Sequence, residues 1–191
     1  MKSAAWLAAH ILPFALGLAA EVPLQLDPDR SRVDVVVHAT VDSFVGNLER
    51  YEASIRLDAT TGEISSADLS FHFSDVKTGK ADRDEQMNAW QDTARHPDGV
   101  FHLSSLTRGA HGGMTAVGTL TLHDVAREIS FPVSVAHDGE LYAIDGEATL
   151  DTRDFGLPVI KKFLLLKVDP AVKVRFHLQG RAKPGEAHVA L

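Results

Sequence analysis

Residues 76–101 read VKTGKADRDEQMNAWQDTARHPDGVF, and this stretch decides the fold. Elsewhere after residue 30 the chain alternates apolar and polar residues and breaks at turns, which is the pattern of β-strands. Here Met87 and Trp90 stand three residues apart, a spacing that places both side chains on one face of a helix. In a barrel made of strands, the open end is the part that most needs cover. The stretch therefore predicts a container with one short helix near its end.

Eight segments around this stretch have the strand period, and turn-forming residues separate them. The segments are 33–37, 51–57, 69–73, 100–106, 115–122, 129–135, 141–150 and 172–178. The turns include Thr61-Gly62, 109–113, 123–127 and Asp138-Gly139. About eight short strands with mostly hairpin-length connections predict an all-β antiparallel barrel or sandwich.

Composition narrows the classes of function. The chain has 191 residues, a length that suits one domain with a sizeable core. Its formal net charge of −7 argues against a nucleic-acid partner, because phosphate binding requires a basic face. The absence of cysteine excludes thiol catalysis and thiolate metal sites.

The N-terminus has the features of an export signal. Lys2 precedes an apolar run over residues 4–20, and Gly17-Leu18-Ala19 supplies a small-x-small cleavage pattern. His10 and Pro13 interrupt the run, so it makes a poor membrane span. We predict a signal peptide at 1–19, a barrel domain at 20–182, a tail at 183–191 and a periplasmic location. The alternative is an uncleaved N-terminal anchor.

Strand alternation also predicts which side chains face inward. The inward aromatic set comprises Phe71, Phe73, Phe101, Phe131 and Phe176. Histidines adjacent to three of them, His72, His102 and His177, face outward. A barrel of this size either fills its interior with such side chains or leaves room for one ligand. Packing alone favours the filled core.

Six short motifs, taken in order, resemble the YceI-like family of exported, lipocalin-like proteins known for binding polyisoprenoid lipids. The motifs are Asp27-Pro28 with Ser31 and Val33, 76–79 with 82–84, 97–101, 118–123 with Val125, Arg127 and Pro132, 153–157, and 172–178. Each motif is short, but the collinear set covers nearly all of the mature chain. The resemblance implies an extended lipocalin-like barrel with an elongated apolar pocket for a prenyl chain or similar lipid, no cofactor and no known chemistry.

The resemblance, together with the alternation, yields a candidate site. Its predicted pocket wall comprises Val35, Val37, Phe71, Phe73, Phe101, Phe131 and Phe176. Its predicted lid and mouth comprise Arg83, Met87, Trp90, Arg153 and Phe155. Transient contact with a membrane or membrane protein and a homodimer are further expectations.

The chain departs from the family pattern at a few positions. Arg30 stands where the family usually has His, and Ala39 stands where a second His is common, with His38 displaced by one residue. Asp124 replaces a frequent Gly in the central turn, and Trp90 replaces a smaller side chain or Phe. These departures concern head-group contacts and pocket depth rather than the fold.

Two charged motifs have both a structural and a ligand-binding interpretation. In Asp82-Arg83-Asp84, Arg83 can clamp an anionic head group, but acidic residues at a helix start also favour the helix dipole. In 153–156, Phe155 packs inside and Gly156 allows a close approach or a bend. The structural interpretation is favoured for both motifs.

We therefore predict a non-enzymatic carrier of a long apolar ligand, and three alternatives stay open. A metal-handling protein requires His72, His102 and His177 to converge. An enzyme acting on lipid-like substrates requires interior titratable groups with shifted pKa values. A filled barrel would act through its surface. The chain has no nucleophile elbow and no Gly-rich phosphate loop.

Overall fold

Eight antiparallel strands close into a barrel in the computed structural model, which describes residues 20–40, 43–109, 113–162 and 166–183. The described residues form thirteen strands, of which eight make the ring: β1 Glu21–Leu26, β2 Arg32–Val37, β3 Phe44–Leu48, β4 Glu52–Asp58, β5 Ile64–His72, β6 Val76–Lys77, β7 Asp98–Arg108, β8 Met114–Leu122, β9 Val125–Asp138, β10 Leu141–Asp151, β11 Lys161–Lys162, β12 Leu166–Lys167 and β13 Ala171–Ala182. The closed ring runs β1-β4-β5-β7-β8-β9-β10-β13, and β13 pairs back to β1. The predicted antiparallel barrel is confirmed.

Helical segments interrupt the strands at a few places. Helix α1, Ala81–Gln91, is the predicted short helix, and three 3-10 helices span Pro28–Arg30, Phe73–Asp75 and Thr152–Phe155. Two of these 3-10 helices divide a long strand in two, β1 from β2 and β5 from β6. Strands β2 and β6, which follow these breaks, both pair with β3. Together the three strands extend the wall beyond the ring at the end that carries α1. The barrel is therefore taller on this side.

The break between β1 and β2 is bridged by side chains of the first family-like motif. Asp27 Oδ1 accepts a hydrogen bond from the amide of Asp29 at 3.1 Å and caps the 3-10 helix that begins at Pro28. The Ser31 hydroxyl accepts from the Gln179 amide at 3.0 Å. The Asp27 amide donates to the Gln179 carbonyl at 2.8 Å. These bonds replace the ladder that the break removes, so β13 stays bonded on that side.

The two ends of the barrel differ. At the end opposite α1, Leu24, Leu57 and Tyr142 are all buried, and the Tyr142 hydroxyl donates to the Gly62 carbonyl at 3.1 Å. Apolar side chains thus close that end. The other end carries α1, the 3-10 helices at Phe73–Asp75 and Thr152–Phe155, and the connection from β10 to β13.

The predicted turn at 123–127 is shorter in the structure. Only His123 and Asp124 form it, with φ values of 50° and 60°, and β9 begins at Val125. Two central residues with positive φ are what a tight hairpin needs, because this backbone twist matches the twist of the strands. Asp124 adopts the conformation without being glycine, and its Oδ2 lies 2.6 Å from His96 Nδ1.

The predicted strands cover most of the barrel but not all of it. The pattern missed β1, β3 and the two-residue strands, and β13 continues to Ala182. The predicted signal peptide at 1–19 and residues 184–191 of the predicted tail lie outside the described residues. Within the described residues, no helix is long and apolar enough to cross a membrane.

Asp58 stabilises the turn between β4 and β5 in its ionised form. Its Oδ1 accepts hydrogen bonds from the amides of Thr60 and Thr61, both at 2.8 Å, and these bonds lower the pKa of Asp58. A lowered pKa in the folded state contributes stability above the unfolded value of about 3.9, and that stability disappears as the pH falls through the folded value.

We therefore expect D58A to lower the urea midpoint of unfolding at pH 7. We expect the difference in midpoint between D58A and the unmutated protein to become smaller below about pH 4. Urea titrations followed by circular dichroism across this pH range measure the effect. Glu63→Ala, an exposed residue of the same turn, is the matched control and leaves the midpoint unchanged. A D58A gap that is the same at every pH would contradict this assignment.

Candidate functional site

The barrel encloses a cavity of about 720 Å³, a volume typical of small-molecule sites. Side chains from β2 to β10 and β13, from α1 and from residues 157–160 and 168–170 line it, and nearly all of them are apolar. On β10 the lining runs from Ile144 to Leu150, which is about 20 Å at roughly 3.3 Å per residue. The cavity is therefore elongated along the strands, and the filled core that packing alone favours is not what the structure shows.

The predicted wall residues lie on this cavity. All seven line it, namely Val35, Val37, Phe71, Phe73, Phe101, Phe131 and Phe176. The Phe131 ring lies between Phe101 and Phe176, with centroid distances of 5.8 Å and 5.9 Å. Phe131 is 7% exposed, whereas Phe71, Phe101 and Phe176 keep more accessible surface although they face inward. That surface faces the cavity.

Helix α1 borders the open end and places three of the predicted mouth residues. Arg83, Met87 and Trp90 line the cavity from one face of the helix. The Trp90 Nε1–H donates to the Pro158 carbonyl at 2.8 Å, which ties the helix to the connection between β10 and β13. The Arg83 guanidinium lies over the Phe44 ring, 4.3 Å from its centroid. A cation held over a ring in this way is stabilised by the ring's negative face.

Asp84 anchors the start of the same helix. Its Oδ1 accepts from the Thr78 amide at 2.9 Å and from the Thr78 hydroxyl at 2.6 Å. These bonds fix the segment that leads into the helix, because Lys80 at the N-cap supplies no side-chain cap. Within the motif Asp82-Arg83-Asp84, Asp84 therefore has the structural role of anchoring the helix. The neighbouring Arg83 borders the cavity.

The second charged motif divides differently. Phe155 is 2% exposed and lines the cavity, and Gly156 turns the chain with a φ of 76°. Arg153 lies in the 3-10 helix at the open end, but it is exposed and does not line the cavity, so the prediction that it borders the ligand site is wrong. Its Nε donates to Asp151 at 2.9 Å, and this pair lowers the pKa of Asp151 and raises the pKa of Arg153. Asp151 stands only two residues earlier, so Arg153 is held in its own turn.

Phe155 also covers a discontinuity in the wall. β9 pairs with β8 from Val125 to Val133 and with β10 only from Val133 onward. Pro132 precedes the switch and has no amide to donate to a second partner. The 3-10 helix that ends at Phe155 contacts β9, so its buried ring packs where β9 and β10 have separated.

The connection between β10 and β13 contributes lining that the alternation did not predict. Residues 157–160 and 168–170 border the cavity near α1. The amide of Val168 donates to the Ile160 carbonyl at 3.3 Å, and the amide of Asp169 donates to the His38 carbonyl at 2.8 Å. The signal in the sequence was the apolar run from Leu157 to Ile160, which has no strand period.

The outward histidines pair with acidic residues instead of converging. Each ring Nδ1 lies against a carboxylate on the directly opposite residue of a neighbouring strand. The pairs are His72–Asp98 at 2.6 Å, His102–Asp68 at 2.5 Å and His177–Asp145 at 2.7 Å. In the part of the chain that the structure describes, no group of three or more acidic or histidine side chains is arranged to hold a metal ion. The metal alternative therefore lacks the convergence that it requires.

The catalytic alternative also lacks its geometric support. The groups with shifted pKa values lie outside the cavity lining; they are Arg50, Tyr51, Asp58, Asp151 and Arg153. The Arg50 pKa, for example, is raised by its hydrogen bond to Asp75. The charged side chains among the described lining residues are Asp68, Arg83 and Asp169.

A second concavity, of about 540 Å³, lies on the outer face of β2, β13, β10 and β9. Its charged side chains neutralise one another, as in the Arg32–Asp34 pair at 2.9 Å and the Arg175–Glu147 pair at 3.4 Å. Arg32, Arg175 and Glu147 are solvent-exposed, whereas the Asp34 carboxylate is only 13% exposed. Ion pairs with a well-solvated partner contribute little. The enclosed apolar interior is the better candidate site.

Comparison with known proteins agrees with this geometry. A family model for the YceI-like domain matches residues 24–180. The chain belongs to the YceI-like domain family. Among relatives of this YceI-like protein, a UPF0312 protein of Pseudomonas savastanoi pv. phaseolicola is 22% identical over 156 residues, which is 77% of this chain and 81% of the relative. A UPF0312 protein of Pseudomonas putida is 21% identical over the same length.

Solved structures share the fold of this YceI-like barrel. Burkholderia cenocepacia BcnA superposes with a TM-score of 0.72 at 20% identity, covering 82% of this chain and 99% of that one. A polyisoprenoid binding domain from Saccharophagus degradans, implicated in plant cell wall breakdown, has a TM-score of 0.61 at 17% identity and covers 87% and 100%. The Campylobacter jejuni YCEI protein has a TM-score of 0.64 at 16% identity and covers 77% and 90%.

Proposed function

We propose that this YceI-like protein binds a long-chain apolar lipid, of the polyisoprenoid or quinone class, inside its barrel and carries or sequesters it without chemical change. The single observation that carries the proposal is the elongated apolar cavity of about 720 Å³. A structural relative is itself a polyisoprenoid binding domain, which supports the same class of ligand.

The proposed orientation places the lipid tail toward the closed end. Each methylene transferred from water into the cavity contributes about 0.8 kcal/mol, so tail burial supplies the affinity. Most of the polar lining residues, Arg83, Gln86, Thr152 and Asp169, border the cavity near α1, and Asp68 borders it from β5. A polar head group is therefore best accommodated at that end, while Leu57 and Tyr142 stop the tail at the other.

Export completes the proposal. The N-terminal residues have the features of a signal peptide, and a lipid carrier acts in a compartment between membranes.

Native mass spectrometry of the protein purified from a periplasmic fraction tests both the bound lipid and the removal of the signal peptide. We expect a stoichiometric mass excess that extracts as an isoprenoid or quinone, and a denatured mass that begins at residue 20. The same spectrum separates a monomer from the alternative homodimer. A protein that is purified without bound lipid and takes up no added prenyl lipid would contradict the carrier proposal.

The cavity itself is tested by filling it. Ala148 is buried and lines the cavity, whereas the next residue, Thr149, is exposed on the outer face of the same strand. We expect A148F to weaken binding of a fluorescent prenyl probe by about tenfold or more, equivalent to ~1.4 kcal/mol, because the ring occupies ligand space. T149F is the matched control and binds as the unmutated protein does. Equal binding by the two variants would place the ligand elsewhere.

Arg83 is the proposed contact for a charged or polarised head group. Of the described side chains that line the cavity, it is the one basic residue. We expect R83Q to weaken binding of a prenyl phosphate more than binding of the matching uncharged prenol, because only the phosphate gains a charge-assisted hydrogen bond. R153Q removes an arginine that lies away from the cavity and serves as the control. Isothermal titration with the two ligands measures the difference, and equal losses for both would contradict it.

Delivery of the lipid requires contact with a membrane, and the mouth offers a site for it. β11 and β12 pair next to the lining residues Ile160 and Val168, and their sequences contribute Lys161, Lys162 and Lys167 to a chain of net charge −7. Near an anionic surface each lysine contributes about 1 kcal/mol, and salt weakens the attraction.

We therefore expect the protein to sediment with vesicles that contain anionic phosphatidylglycerol and not with neutral phosphatidylcholine vesicles. The triple variant K161E/K162E/K167E loses this sedimentation and keeps its prenyl binding in detergent. The matched control reverses three exposed basic residues near the closed end of the barrel, Arg56, Arg108 and Arg181, to Glu. Unchanged sedimentation of the lysine variant would show that these residues do not attract the membrane.

A further inference from the structure

Three of the cavity's phenylalanine rings lie directly over a glycine of a neighbouring strand. The pairs are Phe71 over Gly99, Phe101 over Gly118 and Phe176 over Gly146. A Cβ atom placed on each glycine would lie 2.2, 2.5 and 2.3 Å, respectively, from the nearest ring atom, closer than the 3.0 Å that real Cβ atoms keep. The rings therefore occupy the space that a side chain at each glycine would take.

Strand register shows that these glycines face the cavity. Phe71 is directly opposite Gly99, and Phe176 is directly opposite Gly146. Gly118 is opposite Leu103, two residues from Phe101, so that pair is diagonal on the same face. A side chain at any of the three glycines would point inward, beneath the ring.

Backbone conformation does not require glycine at these positions. The described glycines with positive φ are Gly62, Gly79, Gly139 and Gly156, and none of them lies under a ring. A glycine inside a strand costs about 0.5–1 kcal/mol relative to alanine. At Gly99 and Gly146 the nearest atoms to an added Cβ all belong to side chains, so only the space beneath the ring depends on glycine there. At Gly118 a Cβ would also lie 2.5 Å from the backbone oxygen of His102, so this glycine is required by a backbone contact as well.

A fourth phenylalanine ring of the cavity wall, that of Phe131, does not lie over a glycine. Phe131 is opposite Ala116, and both are buried, at 7% and 3% exposure. Over an alanine the ring has no recess of this kind, and Phe131 instead packs between the rings of Phe101 and Phe176. Of these four rings, one is opposite an alanine and three lie over glycines.

We propose that Gly99, Gly118 and Gly146 set the bore of the cavity, and with it selectivity for a methyl-branched prenyl chain over an unbranched acyl chain. This inference rests on the proposed lipid-binding function and names the part of the ligand that the wall recognises. A ring recessed against the backbone leaves width for branch methyls. A methyl group under the ring pushes it inward, and the narrower bore excludes a branched chain before it excludes a straight one.

The test compares two alcohols of equal carbon number, a prenol and an unbranched fatty alcohol, by displacement of a fluorescent lipid probe. The readout is the ratio of their dissociation constants, which does not depend on the folded fraction. We expect Gly146→Ala to lower the preference for the prenol by about tenfold, the scale of a single methyl group in an apolar pocket. The double variant G146A/F176L restores the ratio, because leucine has no ring to displace.

Two further variants keep the test decisive if Gly146→Ala folds poorly. Phe176→Leu alone widens the bore and shifts the ratio toward the prenol. Gly113→Ala changes a glycine with nothing within 4 Å of its Cβ position and leaves the ratio unchanged. If the unmutated protein binds both alcohols and the ratio stays the same in G146A and F176L, the inference is overturned while lipid binding stands. If the unmutated protein binds neither alcohol, the proposed function itself fails.

Discussion

Closure of the barrel depends on β13, which hydrogen-bonds a different partner on each edge. One edge follows β10 from Ala171 to Arg181, and the other pairs first with β2 and then with β1. At the second edge, a Cβ atom on Gly180 would lie 2.6 Å from the backbone oxygen of Gln25. Backbone cannot move away as a flexible side chain can, so this approach requires glycine. The pairing closes the ring, and the described strands of the ring separate only between β9 and β10, where they pair from Val133 onward.

The cavity follows from this closure and from the unequal filling of the barrel's two ends. An eight-stranded barrel has an interior just wide enough to be filled by side chains or to hold one ligand. At the closed end, Leu24, Leu57 and Tyr142 fill it. Further along, the phenylalanine rings lie against the wall and leave the centre open. Toward α1 the wall extends through β2, β3 and β6 and lengthens the same space.

Much of this architecture could be predicted from the sequence, because alternation reports which face each residue takes. It placed Phe71, Phe101 and Phe176 inside and the adjacent histidines outside. It could not report register, and register decides what lies under each ring. A glycine opposite a phenylalanine is separated from it by as many as 30 residues, as Gly146 is from Phe176. Packing considerations alone therefore favoured a filled core.

The errors at the mouth have a similar origin. Arg153 was assigned there by its motif, but its guanidinium donates a hydrogen bond to the carboxylate of Asp151, two residues earlier. Residues 157–160 line the cavity in a connection without strand period, so alternation offered no signal for them. β3 was missed because Gly46 interrupts its apolar pattern; a Cβ there would lie 2.7 Å from Val76 Cγ1. Arg153 is positioned by a neighbour in its own turn, whereas a contact between segments determines the position of the other two.

Helix α1 is attached to the barrel less firmly than the strands are to one another. Its cavity face carries Met87 and Trp90, but its last residue, Gln91, is fully buried, and neither amide atom has a hydrogen-bond partner in the described part of the chain. Asn88 Oδ1, one turn earlier, is unpartnered in the same way. A buried polar group without a partner costs about 1–3 kcal/mol, which opposes the apolar packing on the other face. Because the cost of burying these amide atoms offsets part of the gain from apolar packing, we expect α1 to separate from the barrel at a lower free energy than the strands separate from one another. These unpartnered amide atoms of α1 therefore lie at the end where a lipid would have to enter.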